Sequence, residues 1–324
     1  MRGTSSLVGQ YARDNKGMKV NQSPKGEQAD PLRRISFKYR AGPAALRCLS
    51  DGSAYFASPS ELNDCLEAKF DHSSAADYIA CMDRSIRSIA RQRGRAGGFT
   101  VPESELTSYK EKNARGNASF QEATRRVGIY STASRPDNQP MWAYYCDNSK
   151  GFCFELEWSD AVLGRYQIAP VGVLYSSVPR VHNRADIFDT LIREEAELHP
   201  DWSMDRILEE TRSDFFRFRF DMLNTCRAVS IKHSDWAHEH EVRFVTPRAG
   251  LLPIMSQMLK RVYYVRTDFP EWGPVMMLLH QLYPDVELAE LTFQHIEPYV
   301  EVRRMTGKLV PIHESKRVGG LEDA

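Results

Sequence analysis

The stretch DWAHEHEVRFV, Asp235–Val245, places two glutamates, two histidines and an arginine on a small apolar frame. Read as a strand, its side chains alternate between two faces. Glu239, Glu241 and Arg243 then share one face, and His240, Val242 and Phe244 share the other, which reads as core. Two carboxylates two residues apart repel unless a cation or a hydrogen-bond donor sits between them. Three readings compete. The segment is a solvent-facing charged strand with Arg243 paired to a glutamate. Or it is a metal site built on His233, His238 and His240, since H-x-H can put two imidazoles on one face. Or it is a catalytic glutamate pair.

Outward from this stretch the chain alternates short strands and helices. ISFKYR (Ile35–Arg40) has the period of a strand. GPAALRCLSDG follows it as a helix, with Pro43 in the first turn and Gly52 at the stop. SAYFASP is a second strand, and SELNDCLEAKF opens with a Ser60 cap or turn. Residues 73–126 read as charged helices broken at GRAGGF (Gly94–Phe99). VGIYSTAS (Val127–Ser134) reads as strand then turn, and RPDNQPMWAYYCDNSKG as a turn and a short aromatic helix. GFCFELEW is a strand that buries Phe152, Phe154, Leu156 and Trp158 on one face. APVGVLYSS is another. Residues 184–229 read as one or two long helices containing the aromatic-basic run DFFRFRF. RVYYV is a strand, GPVMMLLHQLYP a helix and VELAELTF a late strand. No internal repeat is present and no Pro/Gly linker divides the body. The expectation is an α+β fold: a disordered leader over 1–31, one domain over 32–305 and a flexible tail over 306–324.

Composition narrows the function classes. The chain has 324 residues with 43 acidic and 43 basic side chains. This balance gives no global basic field toward nucleic acid or membrane. No apolar run approaches the roughly 18 residues of a membrane helix, and the N-terminus lacks the apolar core of a secretory signal. Six scattered cysteines form no C-x-x-C, which favours a reduced thiol set and a cytoplasmic protein, with export as an effector left open. The basic run Arg84–Arg95 reads as a solvated helix face or a patch for an acidic target.

Two upstream stretches bear on Asp235–Val245. FKYR sets Arg40 at the end of an early strand, and YSTAS sets Ser131 and Thr132 at the end of a middle strand. The order Arg, Ser-Thr, Glu-x-Glu resembles the arginine, serine-threonine-serine and Glu-x-Glu triad of ADP-ribosyltransferases, with Ala133 where that triad has its last serine. A second resemblance covers about residues 35–300. Asn63, Asp64 and Glu67, then Met141, Trp142 and Tyr145, then Lys150 and Gly151, and finally Glu239, Glu241 and Arg243 look like the successive motifs of the bacterial domain of unknown function 2971. Cys65 stands where a proline is usual. This family carries no established activity.

The transferase resemblance implies a fold of short mixed strands in two small sheets around a cleft, with peripheral helices. It also implies NAD as substrate and cofactor, used by a transferase or an NAD glycohydrolase. Nicotinamide departure leaves a ribosyl cation-like centre, which a carboxylate stabilises. Glu241 would take that role, and Glu239 would orient or deprotonate the acceptor. Arg40 would hold the phosphates or ribose, Ser131 and Thr132 would brace the site, and Tyr39, Tyr130, Trp142 or Tyr145 would stack on nicotinamide. The acceptor is open: protein, nucleic acid, small molecule or water. The bland alternatives are a non-enzymatic module in which Glu239, Glu241 and Arg243 form a structural ladder, and a metal-dependent hydrolase using His238 or His240.

Overall fold

The strand beginning at Ile35 seeds the architecture. In the computed structural model, which describes residues 35–64, 68, 71–94, 98, 100–177, 181–182, 184–294, 297–303 and 314–315, it runs as β1 over Ile35–Ala41. Ser36, Phe37 and Tyr39 are buried. The chain then forms α1 (Gly42–Ser50), β2 (Ala54–Phe56), β3 (Asp71–His72), α2 (Ala75–Gln92), α3 (Glu103–Arg126), β4 (Gly128–Ala133), α4 (Gln139–Tyr145), β5 (Gly151–Glu157), α5 (Asp160–Arg165), β6 (Ala169–Gly172), β7 (Leu174–Ser176), β8 (Val181–His182), α6 (Arg184–Leu198), α7 (Met204–Glu210), α8 (Asp214–Ala228), β9 (Ile231–His233), β10 (Glu241–Thr246), β11 (Gly250–Leu252), α9 (Met255–Met258), β12 (Leu259–Tyr264), α10 (Trp272–Leu282), β13 (Glu287–Gln294), β14 (Glu297–Arg303) and β15 (Glu314–Ser315). Short 3-10 turns cover Pro59–Glu61 and Ser234–Glu239.

These elements divide into two compact units, each built from separated stretches of chain. The first contains residues 1–58, 128–175 and 234–324. Its centre is one mixed sheet in the order β15-β14-β13-β12-β5-β1-β4-β10-β6. β12 and β13 run parallel, and the other neighbours are antiparallel. One continuous sheet therefore stands where two small sheets were expected. β5 makes the difference: Phe152, Phe154 and Leu156 face one side while Cys153 is equally buried on the other. A strand buried on both faces sits in the middle of a sheet rather than on a cleft wall.

Helices cover both faces. Ala45, Cys48 and Leu49 of α1 and Val275 and Leu279 of α10 pack on the side of Phe152, Phe154, Tyr130 and Phe244. Met141 and Trp142 of α4 pack on the side of Phe37, Tyr39, Cys153 and Tyr263. Trp158 follows β5 and stacks on Phe244 of β10 with ring centroids 3.5 Å apart, while its indole donates to Ser36 Oγ. A pair of this kind contributes about 0.5–1.5 kcal/mol beyond its buried area. Five of the six cysteines lie among the described residues, and all five are buried free thiols.

The second unit contains residues 59–127 and 176–233. Its core joins Ile86 and Ile89 of α2, Leu191 and Ile192 of α6, Ile207 of α7 and Phe216 of α8. The segment 184–229 forms three helices, broken where Ser203 and Ser213 cap new starts. α2 begins with a capping box, in which Ser74 Oγ accepts from the Asp77 amide and Asp77 accepts from the Ser74 amide. Arg219 ties α8 to α6 through Glu194 and Glu195. No helix among the described residues is long and apolar enough to cross a membrane. The expected leader, the break at Gly94–Phe99 and the tail fall wholly or mostly outside the described residues.

Candidate functional site

The alternation of EHEVRFV does not make one unbroken strand. Ser234–Glu239 close a 3-10 turn, with the His240 amide bonded to the Ala237 carbonyl. His240 then adopts φ +47°, and β10 starts only at Glu241. A non-glycine residue in the left-handed region costs about 1–2 kcal/mol and needs support from its surroundings. Here the His240 carbonyl accepts the Ser134 amide at 2.9 Å, which fixes the kink to the end of β4. His240 is half-buried rather than a core residue, so the expectation that it shares a core face with Val242 is corrected. Glu239 arrives from the turn and Glu241 from the strand start.

Both carboxylates are 3% exposed and Arg243 is fully buried. The solvent-facing charged strand is thereby overturned. Arg243 grips Glu241 with a two-pronged fork, Nε to Oε1 at 2.9 Å and Nη2 to Oε2 at 3.0 Å. Two parallel charge-assisted bonds fix both the position and the rotation of the carboxylate. Tyr145 OH donates to Glu239 Oε1 at 2.5 Å. Tyr175 OH accepts the Glu241 amide at 2.8 Å, and burial pushes its phenol above the ordinary tyrosine range. The phenols and the fork give buried polar groups their required partners.

The segment before α4 is fastened to the same turn. Tyr39 OH donates to the Arg135 carbonyl at 2.8 Å and accepts from the Asn138 amide at 3.2 Å. Trp142 Nε1 donates to the Pro136 carbonyl, and Asn138 Nδ2 donates to the His238 carbonyl. After α4 the chain turns through Asp147, Asn148 and Ser149, all with positive φ. Gly151 then enters β5 where a Cβ would lie 2.3 Å from the Arg40 carbonyl, so the Lys150-Gly151 pair needs its glycine for close strand approach.

Each expected site residue now has a place. Tyr130 is a core residue, 1% exposed on the sheet face opposite Glu241, and so is no stacking platform beside the glutamates. Tyr39 and Trp142 are core residues too, 3% and 1% exposed, packed edge to face with ring centroids 5.5 Å apart. They hold the 135–138 segment and offer no open ring face to nicotinamide. Tyr145 is half-buried and serves Glu239 through its hydroxyl. Thr132 is buried, its hydroxyl donating to the Val242 carbonyl at 2.8 Å. Ser131 pairs in register with Arg243, on the Glu241 face.

Arg40 is different. Phe37, Ala133 and Glu241 are paired across β1, β4 and β10, so they share one face. Strand alternation sends Tyr39, Ser131 and Arg243 to that face and Lys38, Arg40 and Tyr130 to the other. Arg40 thus leaves the sheet opposite Glu241. β1 follows β5 through all seven residues but is paired with β4 only at Phe37–Ala133. Past that point Lys38 reaches over, and Nζ donates to the Ser131 carbonyl at 2.5 Å. Lys38, Asn138 and Tyr175 were not singled out from the sequence. A lysine between Phe37 and Tyr39 in a buried strand was the available signal for the first.

In the second unit Asp64 is buried and Asn63 exposed, while Glu67 and Cys65 lie outside the described residues. Among the described residues no group of three His, Cys, Asp or Glu side chains is placed to hold a metal ion.

Residues 141–244 match the model of a family described as protein of unknown function (DUF2971). The matched span carries Met141, Trp142, Tyr145, Lys150, Gly151, Glu239, Glu241 and Arg243, so the resemblance rests on α4, β5 and the Glu-x-Glu-x-Arg strand. Comparison with curated proteins gave no match, and comparison with solved structures gave none.

Proposed function

We propose that the Glu239–Glu241–Arg243 cluster cleaves the nicotinamide–ribose bond of NAD and passes the ADP-ribosyl group to an acceptor or to water. The carrying observation is two carboxylates, each 3% exposed, held in fixed orientations by a guanidinium fork and by Tyr145. Burying such a charged group costs free energy, and clusters of this kind concentrate at functional sites. In the reaction the C1′–N bond breaks and its electron pair leaves with nicotinamide. Glu241 stabilises the positive charge developing on the ribosyl group. An acceptor O–H or N–H attacks C1′, and Glu239 takes its proton.

The sequence order Arg40, Ser131, Glu241 supports this reading, but its parts now carry unequal weight. Ser131 stands in register with Arg243, whereas Arg40 belongs to the opposite face. One observation favours a second reading, a structural ladder: the fork saturates the geometry between Glu241 and Arg243 as a buried structural pair would. A single experiment separates the two. Purified protein is incubated with nicotinamide-labelled NAD and free nicotinamide is measured, alongside thermal melts, for the wild type, Glu239→Gln and Glu241→Gln. The transferase reading expects release by the wild type and its loss in both variants. Absence of release by the wild type, with lower melting temperatures in the variants, leaves the ladder.

A further inference from the structure

Asn138 stands at the position that caps α4, and asparagine is among the best residues for that place. Its side chain nevertheless makes no bond to the helix. Nδ2 donates instead to the carbonyl of His238, 100 residues away, on the turn that carries Glu239. A cap left unused for so distant a contact asks for a reason. The backbone gives the side chain a fixed base. The Asn138 amide donates to Tyr39 OH at 3.2 Å, and its carbonyl accepts the Trp142 amide at 3.2 Å. The residue is buried. β1 and α4 therefore hold its base while its tip holds the turn. The His238 carbonyl and the Glu239 amide belong to one rigid peptide plane. Pinning that oxygen sets the plane by which the chain enters Glu239. The next plane is pinned by the His240 amide on the Ala237 carbonyl at 3.2 Å. The plane between His240 and Glu241 is pinned at both ends: the Ser134 amide donates to its carbonyl, and its own N–H donates to Tyr175 OH. Three consecutive planes thus fix the backbone of both glutamates. α4 meets the turn at both of its ends, with Asn138 on the backbone before Glu239 and Tyr145 on the Glu239 carboxylate.

We propose that Asn138 is a positioning residue for Glu239, acting through the His238 carbonyl, and that α4 is the strut between them. Asn138 fixes where the backbone of Glu239 sits, and Tyr145 fixes how its carboxylate turns. The catalytic sense of this role rests on the reading of Glu239 as the group that takes the acceptor's proton; the anchoring itself does not. A carboxylate set before substrate arrives needs no reorganisation during the reaction. An error of about 1 Å in such a group can cost about a hundredfold in rate. Asn138 itself touches no substrate in this role. Loss of its donor should therefore lower kcat and leave KM, the pattern of an interaction realised only in the transition state.

Asn138→Ser and Asn138→Asp separate this role from helix capping. Both keep a strong cap residue at the head of α4 and remove the donor to the turn. Nicotinamide release from NAD is assayed well below the melting temperature of each protein. Both variants should lose about tenfold or more in kcat with KM within about twofold of the wild type. A residue needed only to start α4 would leave the folded variants at the wild-type rate. Hydrogen exchange of the full chain gives a readout without chemistry. In the wild type the Ser134 and His240 amides should exchange as slowly as those of β10. In Asn138→Ser they should exchange about tenfold faster, while the Trp142 amide keeps its protection. The wild-type measurement does not depend on any variant folding. Free exchange of these amides in the wild type, unchanged exchange in Asn138→Ser, or wild-type kinetics in the folded variants overturns the anchor. So does a raised KM at unchanged kcat, which would make Asn138 a substrate contact. Slow exchange that is lost in Asn138→Ser, in a protein that releases no nicotinamide, keeps the anchor and rejects the transferase. Release by the wild type with any of the overturning results does the reverse.

Discussion

Replacing Glu241 with alanine should expose how much of the first unit depends on the fork. Arg243 is fully buried, so its guanidinium cannot turn to water when its partner goes. Two bonds of 2.9 and 3.0 Å are lost. Bonds to charged groups contribute about 1.5–3 kcal/mol each, and breaking a buried pair from one side costs about 3–5 kcal/mol in total. The expected cost of Glu241→Ala is therefore about 3–5 kcal/mol. At about 2–4 °C per kcal/mol for a domain of this size, the transition of the first unit should fall by roughly 6–20 °C. Replacing both partners, as Glu241→Ala with Arg243→Met, removes both charges and fills the space with an apolar chain. A buried pair exchanged as a whole is often near neutral, so the double variant should recover most of the loss. Urea denaturation of the four proteins closes the cycle, with an expected coupling energy of about 3 kcal/mol, at the upper end for contacting residues. A single-variant cost below about 1 kcal/mol, or a double variant as unstable as the sum of the singles, would refute a desolvated fork.

Other outcomes follow from individual contacts. Gly151→Ala forces a Cβ to 2.3 Å from the Arg40 carbonyl, a backbone atom that cannot step aside, and should lower the urea midpoint by an equivalent of about 1–3 kcal/mol or more; no change would mean that β1 and β5 are not closely paired there. Trp142→Phe removes the donor to the Pro136 carbonyl and part of a buried ring, and should cost roughly 1–3 kcal/mol with ADP-ribose affinity unchanged; the opposite pattern would return Trp142 to the ligand. Lys38→Met should reshape the pH dependence of stability. In the folded chain Lys38 protonates near 7 and in the unfolded chain near 10.5, so both states are protonated below pH 7. Between those values the unfolded chain holds the extra proton, and stability rises with pH. The methionine variant should lose that part of the rise and gain most over the wild type at or below pH 7; parallel curves between pH 7 and 10 would count against a strained lysine.

Much of the first unit could be read from residue order. ISFKYR, GPAALRCLS, GIYSTA, QPMWAYY and the late strands carry their periods and stops locally, and each forms the element its pattern dictates. What was not legible has tertiary causes. EHEVRF has perfect alternation, yet His240 turns left-handed because its carbonyl is claimed by Ser134, a hundred residues earlier in the chain. The placement of Arg40 opposite Glu241 follows from the pairing of Phe37 with Ala133, which no local pattern states. Both units are assembled from separated segments, so a search for linkers along the chain does not outline them. Burial of Glu239, Glu241 and Arg243 is legible only once β6 and β4 flank β10.

The account turns on whether the buried glutamates do chemistry. The direct measurement is the rate of nicotinamide release from NAD by the wild type and by Glu241→Gln, with ADP-ribose binding to the variant as the check on its fold. Removing one preorganised electrostatic partner of a transition state typically costs about 10²–10³ in rate. The account predicts measurable release by the wild type, at least a hundredfold loss in Glu241→Gln, and retained ADP-ribose binding. No release by the wild type, or a folded Glu241→Gln that releases nicotinamide at the wild-type rate, would contradict it.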